Sequence, residues 1–73
     1  MKRYEVQINQ YYVTDGYTNR ESKTFVHRKA AMKYALTMHN NFKFLNDHSP
    51  KEDQFLWEIK VVQIKAIKIY GGK

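Results

Sequence analysis

The 73-residue chain contains no cysteine, one proline and three glycines. Without cysteine it has no disulfide and no thiolate zinc site, so packing or oligomerisation must supply its stability. This composition fits a reducing, cytoplasmic setting. The sequence has no apolar run of about eighteen residues and no apolar segment after its basic N-terminus, which predicts neither a membrane span nor a signal peptide. We expect one domain over residues 1–73, with a loose tail at about 70–73.

Acidic residues are also scarce, with 7 against 13 lysines and arginines, so the formal net charge is +6. A basic domain suits nucleic acid or an acidic protein surface as a partner. Solubility alone explains such a charge in many small domains. Charge therefore narrows the classes of partner without choosing among them.

Alternating apolar residues across 3–13 predict a strand with one buried face. Asp15 and Gly16 follow, and an Asp-Gly pair is typical of a hairpin turn. A second strand is expected at about residues 20–26. With a two-residue loop, Val6 lies opposite Phe25.

A longer, four-residue loop would instead place Ile8 opposite Phe25. Both registers put Phe25 on the same face as the apolar residues of the first strand, because the side-chain period of a strand is two.

A helix is predicted over residues 29–45, because apolar residues recur there at spacings of three and four. The members of this stripe are Ala31, Ala35, Met38, Phe42 and Leu45. The loop at 47–54 contains a Ser-Pro-Lys-Glu run at 49–52. A serine followed by proline and, three residues on, by glutamate predicts a capping box that opens a short helical turn.

Residues 54–70 form the longest apolar-rich stretch and hold the single tryptophan, Trp57. Alternate residues from Phe55 to Val61 are expected on the core face. The alternation then changes parity, and seventeen extended residues would span roughly 56 Å at ~3.3 Å each. A bulge or break near 62–65, or an arm that leaves the sheet, is therefore expected. One twisted strand with both faces partly covered is the alternative.

These elements predict an α+β domain of the type β-β-α-β. A right-handed crossover places the third strand beside the first, so the predicted three-stranded sheet has the order 2-1-3, with the helix on one face.

No catalytic, metal or cofactor site is predicted, so the chain is interpreted as a non-enzyme. Asp47, His48 and Ser49 are the residue types of a catalytic triad, but consecutive residues cannot converge as triad members do. The three histidines lack the spacing of a metal site, and no glycine-rich phosphate loop is present.

The sheet face away from the helix is expected to carry an apolar and aromatic patch, which is typical of an interface. The candidate partner-binding residues are Tyr11, Tyr12, Leu56, Lys60, Val62 and Ile64. Trp57 is a further candidate anchor, since aromatic residues dominate such surfaces. A homodimer through this face or through the edge of the third strand is a further expectation. Alternatively, a bulge turns Val62 and Ile64 inward and no patch exists.

Basic residues near the start of the helix predict an anion site, because free backbone N–H groups there favour negative charge. The candidate nucleic-acid or anion contacts are Arg20, Lys23, Arg28, Lys29, Lys33, Lys65 and Lys68. The alternative is that these side chains only form the solvated face of the helix.

The segments RKAAMKYA at 28–35 and LWEIKV at 56–61, together with the hairpin, suggest a resemblance. The chain resembles, in style, the short basic Lys/Asn/Tyr-rich proteins of bacteriophages and other mobile elements. That resemblance implies a single α+β domain that binds and inhibits a host protein or defence complex, often one that handles nucleic acid, in the bacterial cytoplasm. Direct, sequence-nonspecific binding of DNA or RNA is the alternative function.

Overall fold

The computed structural model of the chain describes residues 3–63 and 66–72. Its elements, in chain order, are β1 (Tyr4–Tyr12), β2 (Tyr17–Phe25), α1 (Arg28–Asp47), a 3-10 turn (Lys51–Asp53), β3 (Phe55–Val62) and β4 (Ala66–Gly72). The strands form one antiparallel sheet with the order β2-β1-β3-β4, and α1 packs on one face. The predicted α+β class and the order of the first three strands are confirmed, whereas the fourth strand was not predicted.

The fourth strand explains the change of parity in the long apolar stretch. β3 ends at Val62, and β4 then pairs antiparallel with β3 as a hairpin partner, with a register shift between Val61 and Val62. The prediction of a break near 62–65 is confirmed in position, and the alternative of one continuous strand is wrong. Gly71 and Gly72 pair with β3 in a segment where a loose tail was expected. The candidate residues Ile64 and Lys65 lie outside the described residues.

The loop between β1 and β2 has four residues, 13–16, and Tyr12 pairs with Tyr17. Both predicted registers are wrong, since Tyr4 rather than Val6 or Ile8 lies opposite Phe25. The two-residue turn needs two residues with positive φ, but here only Gly16 has one, at 69°. The N–H of Gly16 donates to the carbonyl of Tyr12 at 2.8 Å and closes the longer loop. The predicted faces are correct, because both errors in register are even numbers of residues.

The core lies between α1 and the covered face of the sheet. Its buried apolar members are Val6, Ile8, Ala31, Ala35, Phe42, Phe55, Trp57, Ile59 and Val61. The ring of Phe42 packs edge-on against the rings of Phe55 and Trp57. This arrangement confirms the predicted core face of β3 and most of the predicted helix stripe.

The last turn of α1 departs from the predicted stripe, because Leu45 is 50% exposed and Asn46 is 3% exposed. The side-chain amide of Asn46 donates to the carbonyl of Phe55 at 2.6 Å and accepts from the N–H of Phe55 at 3.0 Å. β4 ends opposite Trp57, so no strand formed by residues 3–63 and 66–72 pairs with Phe55 on that side. Asn46 supplies the two hydrogen bonds that a neighbouring strand would supply, and an unpaired buried peptide group would be costly.

The predicted capping box at 49–52 is wrong. The 3-10 turn has Pro50 as its N-cap, with no side-chain hydrogen bond. The hydroxyl of Ser49 instead donates backwards to the carbonyl of Leu45 at 2.5 Å, and Nδ1–H of His48 donates to the carbonyl of Phe44 at 2.9 Å. Both side chains thus add hydrogen bonds to carbonyl groups in the last turn of α1, which also accept from the backbone N–H of His48.

Candidate partner-binding surface

The face of the sheet away from α1 is the open face. One exposed apolar residue, Ile69 of β4, lies opposite Lys60 in the middle of this face, whereas three others lie together at the hairpin end. Tyr11 of β1 lies directly opposite Leu56 of β3, and each is 41% exposed. Val13, in the adjoining loop, is 58% exposed. We call Tyr11, Val13 and Leu56 the apolar end. Two of them, Val13 and Leu56, line a cleft of about 450 Å³ that is completed by Thr14, Lys51, Glu52, Gln54 and Phe55.

On β1 and β3, the middle of the open face is polar. Gln7 lies opposite Lys60, and the ammonium group of Lys60 lies 3.5 Å from a carboxylate oxygen of Glu58. Glu58 and Lys60 stand between Leu56 and the half-buried Val62 along β3. Polar residues therefore interrupt, along β3, the single apolar patch that was expected from the sequence. Lys60 has Glu58 as an acidic neighbour within the face, so the face does not have the purely positive rim that was expected.

Tyr12 and Trp57 lie on the covered face, not on the open face. The ring centroid of Tyr12 lies 5.1 Å from that of Phe55 and 5.9 Å from that of Tyr17. Trp57 is 6% exposed and belongs to the core. The placement of Tyr12 beside Tyr11 on one binding surface is corrected, because consecutive residues of a strand point to opposite faces.

A cluster around His39 links the helix to β3 and β4, and the sequence did not predict it. The indole N–H of Trp57 donates to Nδ1 of His39 at 3.1 Å. The ring of His39 stacks on Tyr70, with centroids 5.1 Å apart and planes at 27°. No local spacing signals such a cluster, since its members come from three elements, one of them the unpredicted β4.

The candidate anion-binding residues do not lie on one face. Arg20 belongs to the open face, opposite Asn9. Lys23 belongs to the covered face, where its ammonium lies 4.9 Å from the ring centroid of Tyr34. Lys68 also belongs to the covered face, but it lies on β4, at the opposite edge of the sheet from Lys23, with its ammonium 5.2 Å from the ring centroid of Tyr70. These three cations therefore cannot contact one ligand surface together.

Arg28, Lys29 and Lys33 remain together at the start of α1, and all three are exposed. The first turn of the helix has no acidic residue, and the N-cap His27 makes no side-chain hydrogen bond to it. Positive side chains at this end oppose the helix dipole. The cluster is therefore the most concentrated positive charge among the described candidate residues.

No group of three or more metal-ligating side chains is present within residues 3–63 and 66–72. Over the same residues, no helix is long and apolar enough to cross a membrane.

Comparison with known proteins adds no relative: no family model, no curated protein and no solved structure matches the chain.

Proposed function

We propose that the chain is a small non-enzymatic binding protein that docks on another protein through the apolar end. The observation that carries this proposal is that Val13 and Leu56 line a cleft of about 450 Å³, with Tyr11 directly opposite Leu56 at its side. Exposed apolar groups that lie together beside a concavity are typical of interfaces, whereas isolated ones are ordinary surface features.

The chemistry of the open face suits a protein partner. Tyr11 offers a large apolar ring with a hydroxyl group, and Leu56 beside it offers a purely apolar contact. The polar middle of the face, with its Lys60–Glu58 ion pair, would form the hydrated rim that surrounds the apolar centre of a transient interface. A partner would need to cover this rim as well, since a specific interface buries about 800 Å² on each side.

The resemblance to phage and mobile-element proteins supplies the kind of partner. We place the target in the bacterial host, as a nucleic-acid-handling or defence complex that the bound protein modulates or inhibits. Neither a substrate nor a cofactor is part of this proposal.

The test is quantitative capture from a bacterial lysate with the tagged protein and two matched variants. Leu56→Asp puts a charge in the centre of the apolar end. Leu36→Asp is its control, because Leu36 is 44% exposed on the helix, away from the open face. We expect a specific set of captured proteins that Leu56→Asp reduces at least about tenfold, as for a hot-spot residue. Equal capture by wild type and Leu56→Asp would overturn the proposal.

Direct nucleic-acid binding is the second candidate function, and the exposed cluster Arg28, Lys29 and Lys33 favours it. Phosphate contacts release counterions, so binding of this kind weakens steeply as salt rises. We would measure fluorescence anisotropy with generic single- and double-stranded DNA and RNA at about 50 and 200 mM salt. Lys29→Glu should weaken binding, whereas Lys43→Glu, an exposed change nearer the other end of α1, should weaken it less. No binding at the lower salt would eliminate this function.

A further inference from the structure

β2 is a regular strand with one unpaired edge. It is nine residues long, contains no proline or glycine, and pairs with β1 without a register shift. Within residues 3–63 and 66–72, no other strand pairs with it. Such an edge presents a row of unpaired backbone groups that can template another strand. The edge of β3, where the sequence analysis placed a dimer contact, is instead covered by β4.

The direction of the unpaired groups follows from the other side of the sheet. The N–H and C=O groups of Phe55 bind Asn46, so they point away from β1. The facing residue, Tyr12, therefore directs its backbone groups towards β2, since residues of a central antiparallel strand bond alternately to either side. Counting from the Tyr12–Tyr17 pair, the residues of β2 with outward backbone groups are Thr18, Arg20, Ser22 and Thr24.

Two charged side chains lie on the same face at this edge. Lys23 and Glu21 stand opposite Val6 and Ile8, so both are on the covered face. The ammonium of Lys23 lies over the ring of Tyr34, which holds it on that side of the sheet. The one ion pair among the described residues is that between Lys60 and Glu58, so Glu21 has no cationic partner there.

We propose that β2 pairs antiparallel with β2 of a second copy of this chain, about a two-fold axis at Ser22. In this register Ser22 faces the partner's Ser22, and Arg20 and Thr24 face the partner's Thr24 and Arg20. All of these residues have outward backbone groups, so three pairs form with two hydrogen bonds each. Lys23 then lies directly opposite the partner's Glu21, and symmetry repeats that contact.

Charge selects this register over its neighbours. Moving the two-fold axis by one residue shifts the partner strand by two residues. This shift equals the side-chain period of a strand, so the side chains of both copies stay on matching faces. An axis at Glu21 would set two carboxylates against each other, and an axis at Arg20 would set two guanidinium groups together. Like charges directly opposite destabilise a strand pair, whereas opposite charges stabilise it. Only the axis at Ser22 places each Lys23 against a carboxylate.

The dimer would have one continuous eight-stranded sheet. Because its two-fold axis is perpendicular to the sheet, both helices lie on one side and both copies of the apolar end lie on the other. The contact does not use Tyr11, Val13 or Leu56. Failure of the dimer proposal would therefore leave the proposed function untouched, and the reverse also holds.

The test is the mass of the protein in solution, measured by sedimentation equilibrium over a range of concentration. The wild-type mass should rise from 8.8 kDa towards twice that value. Lys23→Glu and Glu21→Lys should each weaken the dimer about tenfold or more, since each replaces two attractive contacts with two repulsive ones. The double variant Lys23→Glu/Glu21→Lys should restore the dimer. Lys33→Glu makes the same change of net charge on the helix and should leave it unchanged.

Ser22→Pro tests the backbone pairing without a change of charge. The N–H of Ser22 points outward, so proline there removes no hydrogen bond within one copy and is tolerated on an edge. Circular dichroism would check that the variant folds, and its mass should stay at that of one chain. The proposal is overturned by a wild-type mass that stays at one chain up to about 1 mM, by a folded Ser22→Pro variant that still dimerises, or by failure of the double swap to restore the dimer.

Discussion

The two faces of the sheet are built from the same strands, yet they have opposite characters. Along β3 the residues alternate strictly: Phe55, Trp57, Ile59 and Val61 are buried, Leu56 and Glu58 are exposed, and Lys60 and Val62 are half-buried. The backbone is shared by both faces, so only the side chains and the position of α1 create the difference. The covered face packs against α1 and forms the core, whereas the open face is not covered by α1 and is the surface that we propose for recognition. Substitutions on the two faces should therefore have separable effects.

The largest difference is expected between Ile59→Ala and Leu56→Ala, which change the same strand on opposite faces. Ile59 is fully buried, and truncation of a core isoleucine costs about 2–5 kcal/mol. Leu56 is 41% exposed, so its truncation should cost less than about 1 kcal/mol. Urea unfolding followed by circular dichroism measures both values. Equal losses in the free energy of unfolding for the two variants would contradict the inference that the covered face contributes most of the stability.

A smaller but still large effect is expected at Asn46, which completes the covered face where β4 ends. Asn46→Leu replaces the amide group by an apolar group with the same branching at Cγ, and it removes both hydrogen bonds to Phe55. Leaving a buried polar group unsatisfied costs about 1–3 kcal/mol per group, partly offset by the gain in apolar burial. We expect a net loss of about 2 kcal/mol in the free energy of unfolding.

The matched control is Asn40→Leu, on the exposed side of the same helix, which should change stability by less than about 0.5 kcal/mol. An Asn46→Leu variant with an unchanged free energy of unfolding would mean that the two hydrogen bonds to Phe55 make no net contribution to stability.

The smallest effect is expected from the two glycines of β4, which again contrast the faces. A Cβ atom at Gly72 would lie 2.9 Å from Cζ2 of Trp57, on the covered face. A Cβ atom at Gly71 would meet only the carbonyl oxygen of Trp57, at 3.3 Å. Gly72→Ala should shift the end of β4 at a cost of about 1 kcal/mol, as for overpacking that can relax.

Trp57 is the single tryptophan, so its fluorescence reports the change directly. Gly72→Ala should alter the emission of Trp57 more than Gly71→Ala does. The reverse order would mean that the ring of Trp57 does not pack against Gly72 in solution.

Local pattern predicted the faces of the strands and most of the helix stripe, because each depends only on a period of two or of 3.6 residues. The register between β1 and β2 was not predicted correctly. The Asp15-Gly16 pair located the hairpin, but the four-residue loop depends on the conformation of each loop residue, which the dipeptide does not specify. For the candidate surface, Tyr11 and Leu56 were placed correctly on the open face, while Tyr12 was assigned there against the strand period.

Contacts between residues that are far apart in the sequence could not be predicted from a local pattern. Asn46 belongs to the core because β3 extends past the end of β4 and leaves the backbone of Phe55 to be satisfied. His39 accepts a hydrogen bond from Trp57, which is eighteen residues further along the chain. Neither role shows in composition or spacing, since polar residues enter a core only where a specific buried group needs them.

The sequence by itself determined the α+β class, the faces of the first three strands and the position of the break after Val62, because alternation and helical periodicity are properties of short segments. Only the tertiary structure decided that the chain after the break returns as β4. This strand covers the edge of β3, whereas the edge of β2 has no partner among the described residues. The physical reason is that strands pair through backbone N–H and C=O groups. Every residue except proline carries both groups, so the side-chain pattern does not determine which edge of the sheet remains open.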